Sequence, residues 1–199
     1  MTRICLIRHG ETDWNVKGII QGQTDIPLNK LGETQAKQCG RYLKSEHFNV
    51  IISSPLKRAK KTTQLINDSL NLPIIYDNNL KERYFGVAEG KSKIELMKSF
   101  PEQVYPGQES RLALNKRVMI AINKITKSYH NQNILVIAHG AVINSILSSV
   151  SNHEIGSQIT TLKNGSFTIL NINEPLWLID SVNHTQHLES KLIEDNIIT

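Results

Sequence analysis

Short apolar runs alternate with longer segments of helical periodicity along most of the chain. The apolar runs at 4–7, 50–52 and 134–138 are continuous, which is typical of strands buried on both faces of a sheet. Between and after them, apolar side chains recur at the spacing of amphipathic helices. The pattern predicts helices over about 31–46, 56–70, 94–100, 109–129 and 141–150.

The end of the chain has a different pattern. Apolar and polar residues alternate over 166–172 and 176–182, with Glu174-Pro175 between them, as in exposed or antiparallel strands. A further short strand is expected at 73–76. The order of elements predicts one three-layer α/β domain over 1–188, with a mostly parallel sheet, helices on both faces and an antiparallel edge strand. Residues 189–199 are expected to form a polar C-terminal tail.

Length and composition favour a small intracellular protein. The 199 residues suit one domain with a sizeable core, and the formal charge of +5 suits an anionic small substrate without requiring one. Because the first strand starts near residue 3, we expect no signal peptide and no membrane span. Cys5 and Cys39 fall within a strand and a helix pattern, which predicts buried, reduced thiols and a cytoplasmic location.

Two of the buried strands end in the same dipeptide. His9-Gly10 follows the first strand and His139-Gly140 follows the strand at 134–138. Parallel strands of an open α/β sheet end at one edge, where ligands bind, so the two corners are expected to meet. Arg8 lies at the first corner, and Arg58 lies one turn into a predicted helix that begins at the same edge. This arrangement predicts an anion site.

A phosphate monoester fits these groups chemically. Guanidinium groups match phosphate oxygens in a bidentate manner, and Asn15 can add a neutral donor. A histidine can attack phosphorus only through an unprotonated ring nitrogen, and His9, beside Arg8, is the better candidate. His139 would then stabilise the transferring group. Gly10 and Gly140 are expected to let the backbone approach the phosphate closely.

The leaving group of such an ester needs a proton. Glu82 stands in the irregular segment between the third strand and the long helix, where it could fold over the site and act as a general acid. Chemistry alone does not distinguish this carboxyl from other glutamates. The alternatives are Glu89, Glu95 and Glu109.

These residues together resemble the signature of the histidine phosphatase superfamily, in its phosphoglycerate mutase-like branch. The stretch 6–12 reads LIRHGET, and the resemblance continues, in order, over nearly the whole chain. The further matching segments are Asn15, 21–22, 25–28, 31–32, 53–59, 82–90 and 138–140.

The resemblance implies a role for each residue in that set. It implies that His9 is phosphorylated during turnover and that Glu82 acts first as acid and then as base for water. The phosphate pocket that it implies consists of Arg8, Asn15, Arg58 and His139. The backbone near Gln21 and Gly22 is implied to contact a small phosphorylated metabolite, and no metal or organic cofactor is implied.

Both mutases and phosphatases occur in that family. The mutases are longer and carry extra arginines after the glutamate segment, whereas the stretch 99–107 here has no arginine pair. The sequence therefore favours a metal-independent phosphatase, with a phosphoglycerate mutase as the alternative. A catalytically silent module that binds a phosphorylated ligand is the rival from another class, and the complete set of polar site residues disfavours it.

Other patterns in the chain indicate no further function. The stretch 86–92 lacks the glycine spacing of a nucleotide-binding loop. Lys57, Lys60 and Lys61 flank Arg58 without aromatic neighbours, so we expect a solvated helix face and not a nucleic-acid site. His184 and His187 have the spacing of some metal ligands, but a solvated strand end is the preferred interpretation.

Overall fold

The computed structural model describes residues 1–157 and 159–189, and its strands in that part of the chain form one six-stranded sheet. They are β1 (Thr2–Arg8), β2 (Val50–Ser53), β3 (Ile74–Tyr76), β4 (Asn133–Ala138), β5 (Phe167–Asn173) and β6 (Leu176–His184). The order across the sheet is β3-β2-β4-β1-β5-β6. The first four are mutually parallel, and β5 runs antiparallel to both β1 and β6.

The described residues form seven helices, of which the five longer ones follow the predicted order with bounds that differ by a few residues. They are α1 (Asp13–Val16), α2 (Lys30–Leu43), α3 (Lys57–Leu70), α4 (Lys93–Ser99), α5 (Arg111–Ser128), α6 (Gly140–Val150) and α7 (Gln186–Glu189), with short 3₁₀ turns at Asn78–Leu80 and Gly86–Ala88. Side-chain caps define several of the starts, because a polar oxygen there accepts from an otherwise unpaired N–H. Thr12, Asn29, Ser92 and Ser110 are these caps.

The two faces of the sheet carry separate cores. On one face α2 and α3 bury Cys39, Leu43 and Ile66 against β1, β2 and β4. On the other face α5 and α6 bury a larger set of aliphatic side chains, among them Val118 and Ile146. The predicted three-layer α/β domain is therefore confirmed, and the layers leave the carboxyl ends of β1, β2 and β4 as a shared edge.

Several smaller expectations have a definite outcome. Cys5 and Cys39 are buried and free, as predicted. Within residues 1–157 and 159–189, no helix combines the length and apolar character that crossing a membrane requires. The predicted tail lies outside the described residues apart from Glu189, the last residue of α7.

The prediction of a solvated strand end at His184 and His187 is wrong. His187 is buried and its Nε2 lies 2.9 Å from the carbonyl oxygen of Gly165. Both imidazoles stack on the ring of Phe167, at centroid distances of 4.5 and 5.1 Å. His184 ends β6 and His187 lies in the short helix α7, and the alternation along β6 does not predict that both rings pack on Phe167.

Candidate active site

The register between β1 and β4 brings the two histidine corners together. Arg8 pairs with Ala138 across the parallel ladder, and the N–H of His9 donates to the carbonyl of Ala138 at 3.1 Å. The next residue on each strand is therefore a histidine at the same level of the sheet edge. The ring centroids of His9 and His139 are 5.1 Å apart. The two His-Gly segments therefore lie side by side, as predicted.

The hydrogen bonds of His9 leave one ring nitrogen available. Its Nδ1 lies 2.7 Å from the carbonyl oxygen of Gly10, which can only accept, so Nδ1 carries the proton. Nε2 is then unprotonated and accepts from Nε–H of Arg58 at 3.3 Å. Burial lowers the pKa of His9 well below its usual value, and the charges of Arg58 and Arg8 lower it further. The imidazole is thus held neutral with a lone pair facing a guanidinium.

Arg58 reaches this position from the first turn of α3. It is 1% exposed, and its other nitrogens donate to the carbonyls of Gly22 at 2.7 Å and Thr24 at 2.9 Å. These hydrogen bonds connect the loop before α2 to Arg58 and fix the orientation of the guanidinium plane. Burial lowers the pKa of Arg58 to about 10, so the group remains a cation at neutral pH.

Arg8 and His139 each present a buried polar atom without a protein partner. Arg8 donates through Nη1 to the carbonyl of Leu162, but its Nε is unpaired. The Nε2 of His139 lies 2.7 Å from Oγ of Ser54, and its Nδ1 is unpaired. Burial lowers the pKa of His139 well below its usual value, and Arg58 adds to this. An oxyanion beside both groups would satisfy atoms that the protein leaves without partners.

Asn15 is oriented by three donors to one oxygen. Its Oδ1 accepts from N–H and Oγ1–H of Thr12, at 3.1 and 2.9 Å, within the cap of α1. Nδ2 of Asn164 lies 3.3 Å from the same oxygen and also donates to the carbonyl of His9 at 3.0 Å. The amide NH₂ of Asn15 is therefore the end left for the cleft, as the predicted donor role requires. Asn164 itself was not expected at the site.

The structure separates Glu82 from the other three glutamates. Its carboxylate lines the cleft and accepts from the N–H groups of Arg83 at 2.8 Å and Ala141 at 3.3 Å. Glu89 instead accepts three hydrogen bonds from the loop at 23–24 and one from the N–H of Phe85, and Glu109 pairs with Arg117. Glu95 is exposed in the first turn of α4. Only Glu82 of these four is among the lining residues.

The cleft at this edge has a volume of about 390 Å³. Seven of the ten predicted site residues line it: Arg8, His9, Asn15, Gln21, Gly22, Arg58 and Glu82. The ring centroid of His139 lies 5.1 Å from that of His9, and His139 is fully buried. The loop at 18–29 supplies one wall, through residues 19–22. Of the apolar residues near α4, Tyr105 lines the cleft, whereas Met97 and Val104 are mostly exposed.

Three cations on the wall of the cleft were not predicted. They are Arg83, Lys93 and Arg111, which come from three different segments. Burial lowers the pKa of Arg83, and the positive charge of Arg111 lowers it further. No spacing in the sequence relates the three residues, and only the packing of the 80–111 region brings them to one wall. The cleft therefore has positive charge beyond the phosphate pocket.

Packing against α2 supplies its own reason for glycine at position 10. A Cβ on Gly10 would lie 2.3 Å from the carbonyl oxygen of Gly32 in α2. Glycine is thus required by the close packing of α2 against the corner, independently of the predicted approach of a ligand. At Gly140 an added Cβ would meet nothing nearer than Nε of Arg8, at 3.7 Å.

We expect the substitution Gly10→Ala to lower the free energy of unfolding by about 1–3 kcal/mol, the usual cost of overpacking. The clash is with backbone of α2, which cannot rotate away. Urea unfolding followed by circular dichroism measures the change. Gly140→Ala is the matched control and should unfold within about 1 kcal/mol of the wild type, since alanine suits a helix. Equal stability of Gly10→Ala and the wild type would contradict this account of the corner.

Comparison with known proteins agrees with this geometry. The sequence model of the histidine phosphatase superfamily (branch 1) matches residues 4–185. An uncharacterized phosphatase PhoE of Bacillus subtilis is 42% identical over 188 residues, covering 94% of this chain and 97% of that protein. A metal-independent phosphoserine phosphatase of Arabidopsis thaliana is 33% identical, covering 96% and 84%.

One solved structure is similar to this chain in both fold and sequence. The phosphoserine phosphatase of Entamoeba histolytica, in complex with phosphoserine, superimposes with a TM-score of 0.82 and 31% identity. The match covers 94% of this chain and all of that one.

Proposed function

The chain belongs to the histidine phosphatase superfamily, branch 1, and from this premise we propose that it hydrolyses small phosphate monoesters without a metal, through a phosphohistidine at His9. One observation carries the proposal. The lone pair of His9 Nε2 faces the guanidinium of Arg58 in a cleft that Glu82 also lines. A nucleophile, an electrophilic clamp and a proton donor thus share one hollow.

In the first step Nε2 of His9 attacks phosphorus, and the bond from phosphorus to the ester oxygen breaks. The leaving oxygen takes a proton from the carboxyl of Glu82, so an alcohol departs. Arg8, Arg58, Asn15 and His139 hold the three remaining phosphoryl oxygens as charge shifts among them. The Gly10 carbonyl keeps Nδ1–H in place, which stabilises the positive charge that develops on the ring.

In the second step a water molecule attacks the phosphohistidine. The carboxylate of Glu82 accepts a proton from this water, the bond between phosphorus and Nε2 breaks, and inorganic phosphate leaves. Glu82 is then protonated and His9 is neutral again, as at the start of the cycle. Both steps need Glu82 close to the oxygen that enters or leaves, and its place on the cleft wall supports this.

The substrate that suits this cleft carries a second anionic group. Arg83, Lys93 and Arg111 line the wall outside the phosphate pocket, and a carboxylate or second phosphate would relieve the repulsion between the two arginines. Phosphorylated hydroxy acids and amino acids have this chemistry. The proteins named phosphoserine phosphatase among the relatives support this substrate class.

The same cations bear on the choice between phosphatase and mutase. The absence of an arginine pair in 99–107 was an argument for a phosphatase, yet positive side chains reach the cleft from 83, 93 and 111. A phosphoglycerate mutase therefore remains the second candidate. The phosphatase is preferred because the relative with 42% identity is named as one.

The remaining expectations concern the setting of the enzyme. Free, buried Cys5 and Cys39 fit a reducing compartment, so we propose a cytoplasmic location. The lysines at 57, 60 and 61 are exposed around buried Arg58, which fits a solvated face and no nucleic-acid partner. We place the catalytic domain at 1–188.

Trapping the phosphoenzyme tests the proposal directly. The wild type is mixed with radiolabelled phosphoserine or 3-phosphoglycerate in the presence of EDTA and quenched in base within one turnover. We expect one labelled site on the peptide that contains His9, stable to base and lost in acid, and release of inorganic phosphate at steady state. Absence of label together with undiminished turnover would exclude the phosphohistidine route. Interconversion of 2- and 3-phosphoglycerate in the presence of the bisphosphate, without phosphate release, would favour the mutase.

A further inference from the structure

Arg117, on the inner side of α5, uses its guanidinium to hold the segment that carries Glu82. Nη1 donates to the carbonyls of Asn79 at 2.6 Å and Lys81 at 2.8 Å, and Nη2 donates to the carbonyl of Glu82 itself at 3.1 Å. Three backbone carbonyls within four residues thus converge on one side chain. A guanidinium has five N–H groups in a rigid plane, so this grip fixes the path of the chain as well as its position.

The two remaining donors of Arg117 bind a single carboxylate. Nε and Nη2 donate to Oε1 and Oε2 of Glu109, at 2.6 and 2.8 Å, in a bidentate pair with side chains 19% and 15% exposed. Glu109 also holds the residues that follow Glu82 in the chain. Its backbone N–H donates to the carbonyl of Tyr84, and its own carbonyl accepts from Nε of Arg83, both at 2.8 Å. The pair therefore clamps the chain on both sides of Glu82.

The carboxyl of Glu82 has little else to hold it. Within the described part of the chain, its carboxylate oxygens accept from the N–H groups of Arg83 and Ala141 alone, and its carbonyl also accepts from Nε2 of Gln23 at 3.0 Å. No helix or strand contains residue 82. Without the clamp, the distance between the carboxyl and the phosphoryl pocket would depend on an irregular loop.

We propose that Arg117, braced by Glu109, is a positioning residue that sets the height of the Glu82 carboxyl over the cleft and so governs proton delivery to the leaving group. The inference rests on the proposed role of Glu82 as general acid. Neither Arg117 nor Glu109 is among the residues that line the cleft, so they act through Glu82 rather than on the substrate. Proton transfer is sensitive to displacements of less than an ångström, because the donor must lie within hydrogen-bond reach of the oxygen that leaves.

The identity of the leaving group separates this role from general support of the fold. A nitrophenolate leaves without help from an acid, whereas an alkoxide such as that of phosphoserine needs a proton as the bond breaks. A displaced Glu82 should therefore slow the alkyl ester far more than the aryl ester. Damage to the fold or to phosphate binding should slow both esters equally. The parameter to compare is kcat/KM, which reports the steps through phosphorylation of His9.

The experiment measures kcat/KM of Arg117→Met, Arg117→Lys and Glu109→Gln with p-nitrophenyl phosphate and with phosphoserine, beside Glu82→Gln. We expect Arg117→Met to lose about 30-fold or more with the alkyl ester and less than about 3-fold with the aryl ester, which is part of the ~10²- to 10⁴-fold that a general acid contributes. Glu109→Gln and Arg117→Lys should show a smaller loss of kcat/KM, again greater with the alkyl ester than with the aryl ester. Because these two changes are milder, they keep the test available if Arg117→Met does not fold. Lys116→Met, an exposed neighbour on α5, is the matched control and should match the wild type.

The outcomes separate the inference from the proposed function. If Glu82→Gln discriminates between the esters but the Arg117 and Glu109 variants lose both activities equally, the positioning role is wrong and the acid assignment stands. If Glu82→Gln itself slows both esters alike, the acid assignment fails. If the variants follow Glu82→Gln in their preference for the aryl ester, the inference holds.

Discussion

Replacing His9 by alanine will lower kcat/KM for p-nitrophenyl phosphate by about 10⁵-fold, the scale seen when a covalent nucleophile is removed. The reason is local. Nε2 of His9 is the ring nitrogen that the Gly10 hydrogen bond leaves unprotonated, and the proposed mechanism assigns the attack on phosphorus to this atom. The neighbouring His139, with its Nε2 2.7 Å from Oγ of Ser54, is assigned to the phosphate pocket. The rate of phosphate release from p-nitrophenyl phosphate is measured continuously with the purified variant and with the wild type.

His130→Ala is the control for this experiment. His130 is exposed after α5 and precedes β4, whereas His139 follows the other end of that strand, so the loss of His130 should leave kcat/KM within about 2-fold of the wild type, as for most surface substitutions. The His9→Ala variant should also show no base-stable label after exposure to substrate. A residual rate within ten-fold of the wild type would sink the assignment of His9 as nucleophile.

The substitution Arg58→Met will lower kcat/KM by about 10²- to 10³-fold, the range reported for loss of one preorganised donor at a developing charge. Arg58 donates to His9 Nε2 and to the carbonyls of Gly22 and Thr24, so its loss also frees the loop at the mouth of the cleft. We therefore expect KM to rise together with the fall in kcat. Arg58→Lys should recover only part of the loss, because an ammonium cannot bind all three acceptors in one plane.

The same variant should shift the pH dependence of the reaction. In the wild type, burial and the charges of Arg58 and Arg8 hold the pKa of His9 well below 6.5, so the acid limb of kcat/KM lies below that value. Removing the charge of Arg58 favours the imidazolium and raises this pKa. The acid limb then moves to higher pH, although burial, the largest cause, keeps it below the value of a free histidine. Lys61→Met removes an equal charge from the exposed face of α3 and should leave the limb unchanged. An unshifted limb in Arg58→Met would show that another group governs it.

Prediction from the sequence succeeded for features that are encoded by residues close together in the chain. The continuous apolar runs of β1 and β4 could only be buried strands, and the helices between them required a parallel sheet. Register then followed from the shared edge, which places His9 beside His139. Capping residues such as Thr12 and Asn29 also lie where local chemistry favours them. The end of the chain was harder, because α7 is held by ring stacking on Phe167.

The glutamate at the site illustrates the opposite case. Four carboxylates lie at 82, 89, 95 and 109 in or beside one irregular segment, and their chemistry is the same. From the sequence, only the resemblance to a family singled out Glu82. The residues of an irregular loop show no periodic pattern, so the pattern alone cannot predict which carboxylate reaches the site. The clamp of Arg117 and Glu109 on that segment spans 35 residues between Glu82 and Arg117 and depends on how α5 packs.

The sequence by itself determined the α/β layering, the two histidine corners and the approach of Arg58 to them, because strand burial and the parallel edge are encoded in local pattern. The tertiary structure alone decided how Glu82 is held at the cleft, which cations beyond the phosphate pocket line it and which backbone packs against Gly10. Those features depend on distances between segments that are remote in the chain. Such distances are set by packing, and packing leaves no regular trace along a sequence.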